Sequence, residues 1–170
     1  MSEQPNATFR TSDVHIRWMI RRDHPEVLAI EGASFARPWS ERKILRARRE
    51  HRVIGCVAEE GADVVGFTPV VGFMIYRAHP RRLELMRLAV RPDRRRLGVG
   101  RRMIEKLVDK LSAGKWTSIT ASIRESNLDA ARFLAATGFR AVGVVRDHYD
   151  DGDGVEDAYR MTFSIRGAVE

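Results

Sequence analysis

The segment Val90-Arg91-Pro92-Asp93-Arg94-Arg95-Arg96-Leu97-Gly98-Val99-Gly100 joins a run that reads as a strand, Leu83 to Val90, to one that reads as a helix. Val99, Met103, Ile104, Leu107, Val108 and Leu111 recur at intervals of three and four, a single apolar stripe ended by Gly114. Glycines let a backbone approach a ligand closely, and the free N–H groups at a helix N-terminus favour phosphate through hydrogen bonds and the helix dipole. A pyrophosphate is the ligand such a loop suits. The spacing is neither G-x-x-x-x-G-K-S/T nor G-x-G-x-x-G, so the P-loop nucleotidases and the dinucleotide folds are poor matches. The competing reading is a solvated Arg-rich turn that does no more than cap the helix.

Outward from this segment the apolar period changes repeatedly between strand and helix. Val14 to Ile20 alternates as a first strand. Asp23 with Glu26 reads as a capping box for a helix whose apolar face is Val27, Leu28, Ile30 and Phe35. Ser40 caps a second, basic helix, Glu41 to Glu50. Val53 to Glu59 and Val64 to Tyr76 form a hairpin around Glu-Gly-Ala-Asp, with Pro69 marking a bulge or an edge position. After the long helix come a strand, Ser118 to Ile123, and a helix capped by Ser126 or Asn127, which carries Ala131, Phe133 and Leu134 and ends at Gly138. Phe139 to Tyr149 and Val155 to Ile165 flank the turn-rich Asp150-Asp-Gly-Asp-Gly154 as two last strands. The order β-α-α-β-β-β-α-β-α-β-β predicts a mixed α/β (α+β) fold in one domain, 13–166, with short tails at 1–12 and 167–170.

The length of 170 residues, with 44% hydrophobic and 31% charged, is enough for one core and cramped for two. Every apolar run is broken well short of the roughly 20 residues a membrane span requires. The polar start lacks the features of a signal or transit peptide. Cys56 is the only cysteine, which excludes an internal disulfide or a zinc ribbon and fits a reducing cytoplasm. His15, His24, His51 and His79 show no metal-ligand spacing, so no metal is expected. A formal charge of +7 favours an anionic ligand, nucleic acid or a phosphorylated cofactor. Asp150 to Glu156 resembles a calcium loop, but Tyr149 stands where the first Asp ligand belongs. It reads as a hairpin tip, or as an acidic loop attracting a cationic peptide N-terminus.

Arg95-Arg-Leu-Gly98-Val-Gly100, with Val90 and Pro92 upstream, resembles the acetyl-CoA-binding loop of the GNAT superfamily of N-acetyltransferases. Three further segments resemble, in order, the protein N-terminal acetylators of that superfamily, above all the RimI-type ribosomal-protein alanine acetyltransferases. These are Phe35-Ala-Arg-Pro-Trp39-Ser, then Arg124-Glu-Ser-Asn127 with Gly138-Phe139 eleven residues on, then Arg146-Asp-His-Tyr149 with Glu156-Asp157-Ala-Tyr159-x-Met161. The resemblance implies a twisted, mostly antiparallel sheet of about seven strands, splayed between the fourth and fifth, with about four helices and acetyl-CoA in the opening. It implies that the backbone of Leu88, Ala89 and Val90 pairs with pantetheine. Arg95, Arg96, Leu97, Gly98, Val99, Gly100 and Arg101 would hold the pyrophosphate, and Asn127 would reach the pantetheine arm. Phe35, Trp39, His148 and Tyr159 would meet the acceptor.

Acetyl transfer from a thioester to an amine needs a neutral amine, polarisation of the carbonyl and a proton for the thiolate. Glu84, shortly before the pantetheine-binding backbone, is expected as a base acting through water; the alternation Leu83-Glu84-Leu85 also suits a solvated strand face. RimI-type enzymes tend to carry a Glu five residues before the motif Asn and a Tyr seven after it, and here those positions are Ser122 and Leu134. Tyr149, ahead of His148 and Tyr159, is then expected as the acid. The reading is an acetyl-CoA-dependent N-acetyltransferase acting on a protein α-amine, a ribosomal protein among the candidates, with lysine or a small amine as the alternative. A non-enzymatic alternative is an RNA- or ribosome-binding module marked by six arginines between Arg91 and Arg102. The absence of interleaved aromatics from that run argues against a dedicated RNA reader, and nucleic acid is not expected as a direct ligand. The oligomeric state is left open.

Overall fold

The structure is a computed structural model describing residues 9–61 and 68–165. Seven strands, β1 (Val14–Trp18), β2 (Val53–Glu60), β3 (Val70–Ala78), β4 (Arg82–Val90), β5 (Ser118–Arg124), β6 (Arg140–Asp150) and β7 (Val155–Ser164), form one sheet in the order β1-β2-β3-β4-β5-β7-β6. Four α-helices, α1 (His24–Ser34), α2 (Glu41–Arg49), α3 (Val99–Ala113) and α4 (Leu128–Ala136), cover its two faces. All neighbouring strands run antiparallel except β4 and β5, which are parallel because α3 carries the chain across.

Alternation along the central strands sends successive side chains to two cores. Met74, Leu83 and Leu85 join Met103, Ile104, Leu107 and Leu111 of α3 on one face. Phe73 and Ile75 join Val27 and Ile30 of α1 and Ile44 of α2 on the other. The α3 stripe read from its spacing is the buried face, with Val99 and Leu111 1% exposed at its two ends. At about 25 cal/mol per Å² of apolar surface removed from water, these two layers supply the main stabilisation of the fold.

The parallel pairing of β4 with β5 stops at Leu85 and Ala121. On the other side of β4, Leu85 lies opposite Tyr76 but Arg87 lies opposite Ile75, so Met86 is one residue more than β3 can pair. That bulge bends β4 away from β5 and leaves the β5-side edge of its second half unpaired. The splay predicted between the fourth and fifth strands is present, with the bulge as its cause.

Several local expectations are revised. The Asp23–Glu26 capping box does not form: Asp23 accepts from Ile20 N at 2.7 Å and from Arg17 at 2.8 Å, and Glu26 accepts from Val70 N at 3.0 Å. The guanidinium competes for the carboxylate more strongly than a helix amide does. Phe35 falls outside α1, as its C-cap in extended conformation. The second hairpin strand begins at Val70, Val64 lies outside the described residues, and the register shifts between Ala58 and Glu59 of β2, where Val71 of β3 is the extra residue, with Pro69 ahead of the strand. Ser40 and Asn127 do cap their helices, accepting from Lys43 N and Ala130 N. Among the residues read as an N-terminal tail, Phe9 packs against the core and the Thr11 hydroxyl donates to Leu97 O at 2.6 Å. Among the described residues, no helix is long and apolar enough to cross a membrane.

Candidate active site

The gap between β4 and β5 opens into a cleft of about 630 Å³. Its floor is Leu85 to Leu88 of β4 and Ala121 to Arg124 of β5; Asn127 and Phe133 close one side, and the loop from Phe35 to Trp39 the other.

At one end of the fold β4 runs into the glycine loop. Gly98, the N-cap of α3, has φ +88, a conformation that costs a residue with a Cβ. A Cβ on Gly100 would lie 3.1 Å from the Phe133 ring, so this second glycine lets α4 approach α3. The first backbone donor used inside α3 is Arg102, to Gly98 O at 3.0 Å; the N–H groups of Val99, Gly100 and Arg101 point out of the helix end. The arginines of the run serve the loop itself. Arg95 donates to Val90 O and to Ser34 Oγ, both at 2.9 Å, Arg101 to Ala136 O at 3.3 Å and Arg102 to Val14 O at 3.1 Å. Arg91 pairs with Asp93 and Arg94 with Glu60. Arg96, with φ 59, is exposed and has no hydrogen-bond partner among the described residues. A phosphate would therefore meet backbone N–H groups and Arg96, while Arg95 and Arg101 keep the loop in shape. Of the six guanidiniums in residues 91–102, Arg91 and Arg94 are paired with carboxylates and three more donate to neutral groups of the protein.

At the opposite end, Glu31 of α1 is fully buried and accepts from Arg87 Nη2 at 2.5 Å, from Arg87 Nε at 3.0 Å and from Trp39 N at 2.7 Å. The Arg87 guanidinium lies 3.6 Å from the centre of the Phe35 ring and 5.1 Å from that of Trp39. A buried ion pair thus holds both aromatic residues in the cleft wall. Across the gap, Arg124 bridges Asp151 at 2.6 Å and Glu156 at 3.0 Å and lies 4.0 Å from the centre of the Tyr149 ring. Arg37 reaches over to the same Asp151 at 2.7 Å, so the α1–α2 loop and the β6–β7 hairpin meet above the acceptor end. Hydrogen bonds from Ser126 and the Arg124 guanidinium hold the Glu156 carboxyl down to about 2. Within the acidic loop Asp151 and Glu156 are paired inside the chain, whereas Asp150 and Asp153 are exposed and have no cation partner among the described residues.

The Tyr149 hydroxyl donates to Ser122 O at 2.9 Å, and burial pushes its ionisation up, against the nearby Arg124 and Arg87. It is a neutral donor at pH 7. Leu88 and Asn127 line the cleft as expected; Asn127 Oδ1 caps α4, which leaves Nδ2 to serve a ligand. The side chain of Ala89 is buried among α1 and α2, and that of Val90 packs toward α3, so only their backbone is offered to the opening. Glu84 lies outside the cleft. It precedes the bulge, in the stretch where β4 is still paired to β5, and its carboxylate is 2.6 Å from His79 Nε2 and 3.7 Å from Arg77. The solvated-face reading describes it better than the base. His148 is exposed and edge-on to Tyr149, and Tyr159 pairs between Ile123 and Val144 in the sheet; neither lines the cleft. Arg87 and Glu31 were missed at the sequence level, because nothing in Leu85-Met-Arg-Leu88 announces the bulge that turns Arg87 toward α1.

The sequence pattern of the Acetyltransferase (GNAT) family matches residues 15–139. The ribosomal protein bS18-alanine N-acetyltransferase of Escherichia coli (strain K12) is 29% identical over 143 residues, 84% of this chain and 92% of that protein. The crystal structure of the ribosomal-protein-S18-alanine N-acetyltransferase from Escherichia coli superposes with a TM-score of 0.75 and 27% identity over 92% of this chain and 97% of the other. Arabidopsis thaliana NAA60 in complex with acetyl-CoA shares the fold, with a TM-score of 0.76 at 15% identity over 91% and 99% of the two chains.

Proposed function

The chain belongs to the acetyltransferase (GNAT) family and is an N-acetyltransferase; from that premise we propose that its acceptor is the α-amine of a protein N-terminus and its donor acetyl-CoA. The donor reading rests on three groups that fit an extended amide chain ending in phosphates. The unpaired edge of β4 after Met86 offers backbone amides, Asn127 Nδ2 stands across from it, and the α3 N-terminus with Gly98 offers N–H groups to the phosphates. Bound there, acetyl-CoA supplies the acetyl group already activated as a thioester.

The acceptor reading is carried by the ionisable groups of the cleft wall: Arg37, Lys43, Arg87, Arg124, Tyr149 and Glu156. Glu156 is too weak a base and Tyr149 too weak an acid to trade protons with an ammonium at pH 7. The wall must then receive an amine that is already partly neutral. An α-amine, with a pKa of about 7.7–8.0, is roughly one-tenth neutral at pH 7, whereas a lysine at about 10.4 is neutral in about four molecules per ten thousand. Ser122 and Leu134, which stand where the resemblance leads one to expect an acid–base pair, agree with a site that selects a neutral amine. As the amine nitrogen joins the acetyl carbon and the C–S bond breaks, one amine proton is lost and the thiolate gains one; Tyr149 Oη is the cleft's phenolic donor for it.

A ribosomal protein is the first acceptor to test, because the relative at 29% identity is named for one. Intact-mass analysis of peptides bearing one free α-amine or one lysine, incubated with acetyl-CoA, decides. Acetylation of the α-amine alone is expected, and exclusive lysine acetylation overturns the reading.

A further inference from the structure

About half of the guanidiniums among the described residues are engaged: Arg17, Arg37, Arg77, Arg87, Arg91, Arg94, Arg124, Arg132 and Arg146 pair with carboxylates, and Arg48, Arg95, Arg101 and Arg102 donate to other protein atoms. The unpartnered ones are scattered over the described residues, except on helix α2, where three stand together. The inner side of this helix is Ile44 and Ala47, both buried. Arg42, Arg46 and Arg49 are exposed on its outer side, and none has a hydrogen bond or ion-pair partner among the described residues. Spacings of four and three residues put them in line along one face, at a rise of about 5.4 Å per turn. With Glu41 and Leu45 they border a shallow groove of about 500 Å³. Glu50, the next carboxylate along the chain, is taken by Arg77.

We infer that the outer face of α2 binds the phosphate backbone of RNA and holds it beside the acceptor mouth. A nucleic acid presents its charges in a regular line, which three guanidiniums in line can meet together. Their planar forks match phosphate oxygens better than ammonium groups would. An acidic protein face would need carboxylates set at the same interval. The groove contains no aromatic side chain, so binding is to the backbone and independent of sequence. The placement beside the mouth is direct: Trp39 and Ser40 lead into α2, and Lys43 of its first turn lies over the Trp39 ring at 4.8 Å. The choice of RNA over DNA rests on the proposed acceptor, a protein N-terminus met close to the ribosome.

The test is fluorescence anisotropy with a 20-nucleotide single-stranded RNA, on the full chain with saturating acetyl-CoA present to occupy the glycine loop. Three phosphate contacts predict a slope of log K against log salt near −2, about a 15-fold loss of affinity between 50 and 200 mM salt. R42Q/R46Q/R49Q should bind about tenfold more weakly at 100 mM and lose most of that slope, while R140Q/R160Q, on the opposite edge of the sheet, should bind as the wild type. Neither variant should change the acetylation rate of a free peptide, so this readout and the acceptor reading can fail separately. Absence of RNA binding, equal loss in both variants, tighter binding to duplex DNA, or binding to polyglutamate in its place would each overturn the inference.

Discussion

Glu84 and Arg87 stand three residues apart on β4 and face different surroundings because Met86 is inserted between them. Before the bulge, ordinary alternation sends Glu84 to His79 and Arg77 at the corner of the sheet. After it, Arg87 turns in to Glu31. A general base contributes about 10²–10⁴-fold, so Glu84→Gln measured at pH 7 is a sharp test: kcat within about twofold of wild type is expected, and a hundredfold loss would return the base to Glu84. Tyr149→Phe removes the donor to Ser122 O and should lower kcat by no more than about tenfold with KM for peptide little changed, because water can protonate a thiolate. The residues quoted from the motifs, Phe35, Trp39, Asn127 and Tyr149, do converge on the cleft. Glu84, His148 and Tyr159 lie outside it: Glu84 follows the ordinary alternation of its strand, Tyr159 sits in regular pairing between Ile123 and Val144, and His148 falls in a register shift of β6 that leaves no mark in composition.

The loop between α1 and α2 has no regular hydrogen bonding of its own, and its shape comes from the carboxylate of Glu31. Trp39 N, the Arg87 guanidinium and, through Arg87, the carbonyl of Arg37 at 3.2 Å are all tied to it. Arg87→Met should therefore destabilise the protein by about 3–5 kcal/mol in chemical denaturation, the cost of leaving a buried carboxylate without its partner. Trp39→Ala spares that pair. It should raise KM for peptide several-fold while acetyl-CoA affinity, read by calorimetry, stays near wild type, because the indole adds wall area only at the acceptor end. Gly98→Glu should do the reverse. It sets a Cβ at 3.2 Å from Thr11 Oγ1 in a left-handed backbone position and a negative charge beside phosphates, and a loss of acetyl-CoA affinity of tenfold or more is expected. The glycine loop and α3 were legible from spacing alone, since capping and amphipathicity are local. The Glu31–Arg87 tie joins residues far apart in the chain, and no local pattern encodes it.

On the scale of the molecule, the stability of this basic protein at low pH is governed by two sets of groups whose shifts can be separated. His24 is buried and its Nε2 accepts from Arg48 at 2.6 Å, which requires a neutral ring; burial and the Arg48 charge hold its ionisation below the ordinary 6.5. The unfolded chain therefore takes up a proton at His24 before the folded one does, and stability is lost as pH falls below about 6.5. Glu156 is shifted down from 4.5 to about 2 by Ser126 and Arg124, and Asp23, Asp151 and Asp157 are likewise lowered beside their hydrogen-bond donors. Their contribution is complete above the unfolded carboxylate range and is withdrawn as pH falls from about 4.5 toward 2. Thermal unfolding across pH 3 to 8 should accordingly show two limbs, a shallow one beginning near 6.5 and a steeper one below 4.5. His24→Gln should abolish the upper limb and leave the lower one. Glu156→Gln should leave the upper limb, lower Tm at neutral pH by freeing the β6–β7 hairpin from Arg124 and Ser126, and flatten the lower limb. If Glu156→Gln leaves the acid limb as steep as in wild type, that carboxylate does not hold the hairpin, and the Arg124 bridge across the end of the cleft is not what keeps Tyr149 in place.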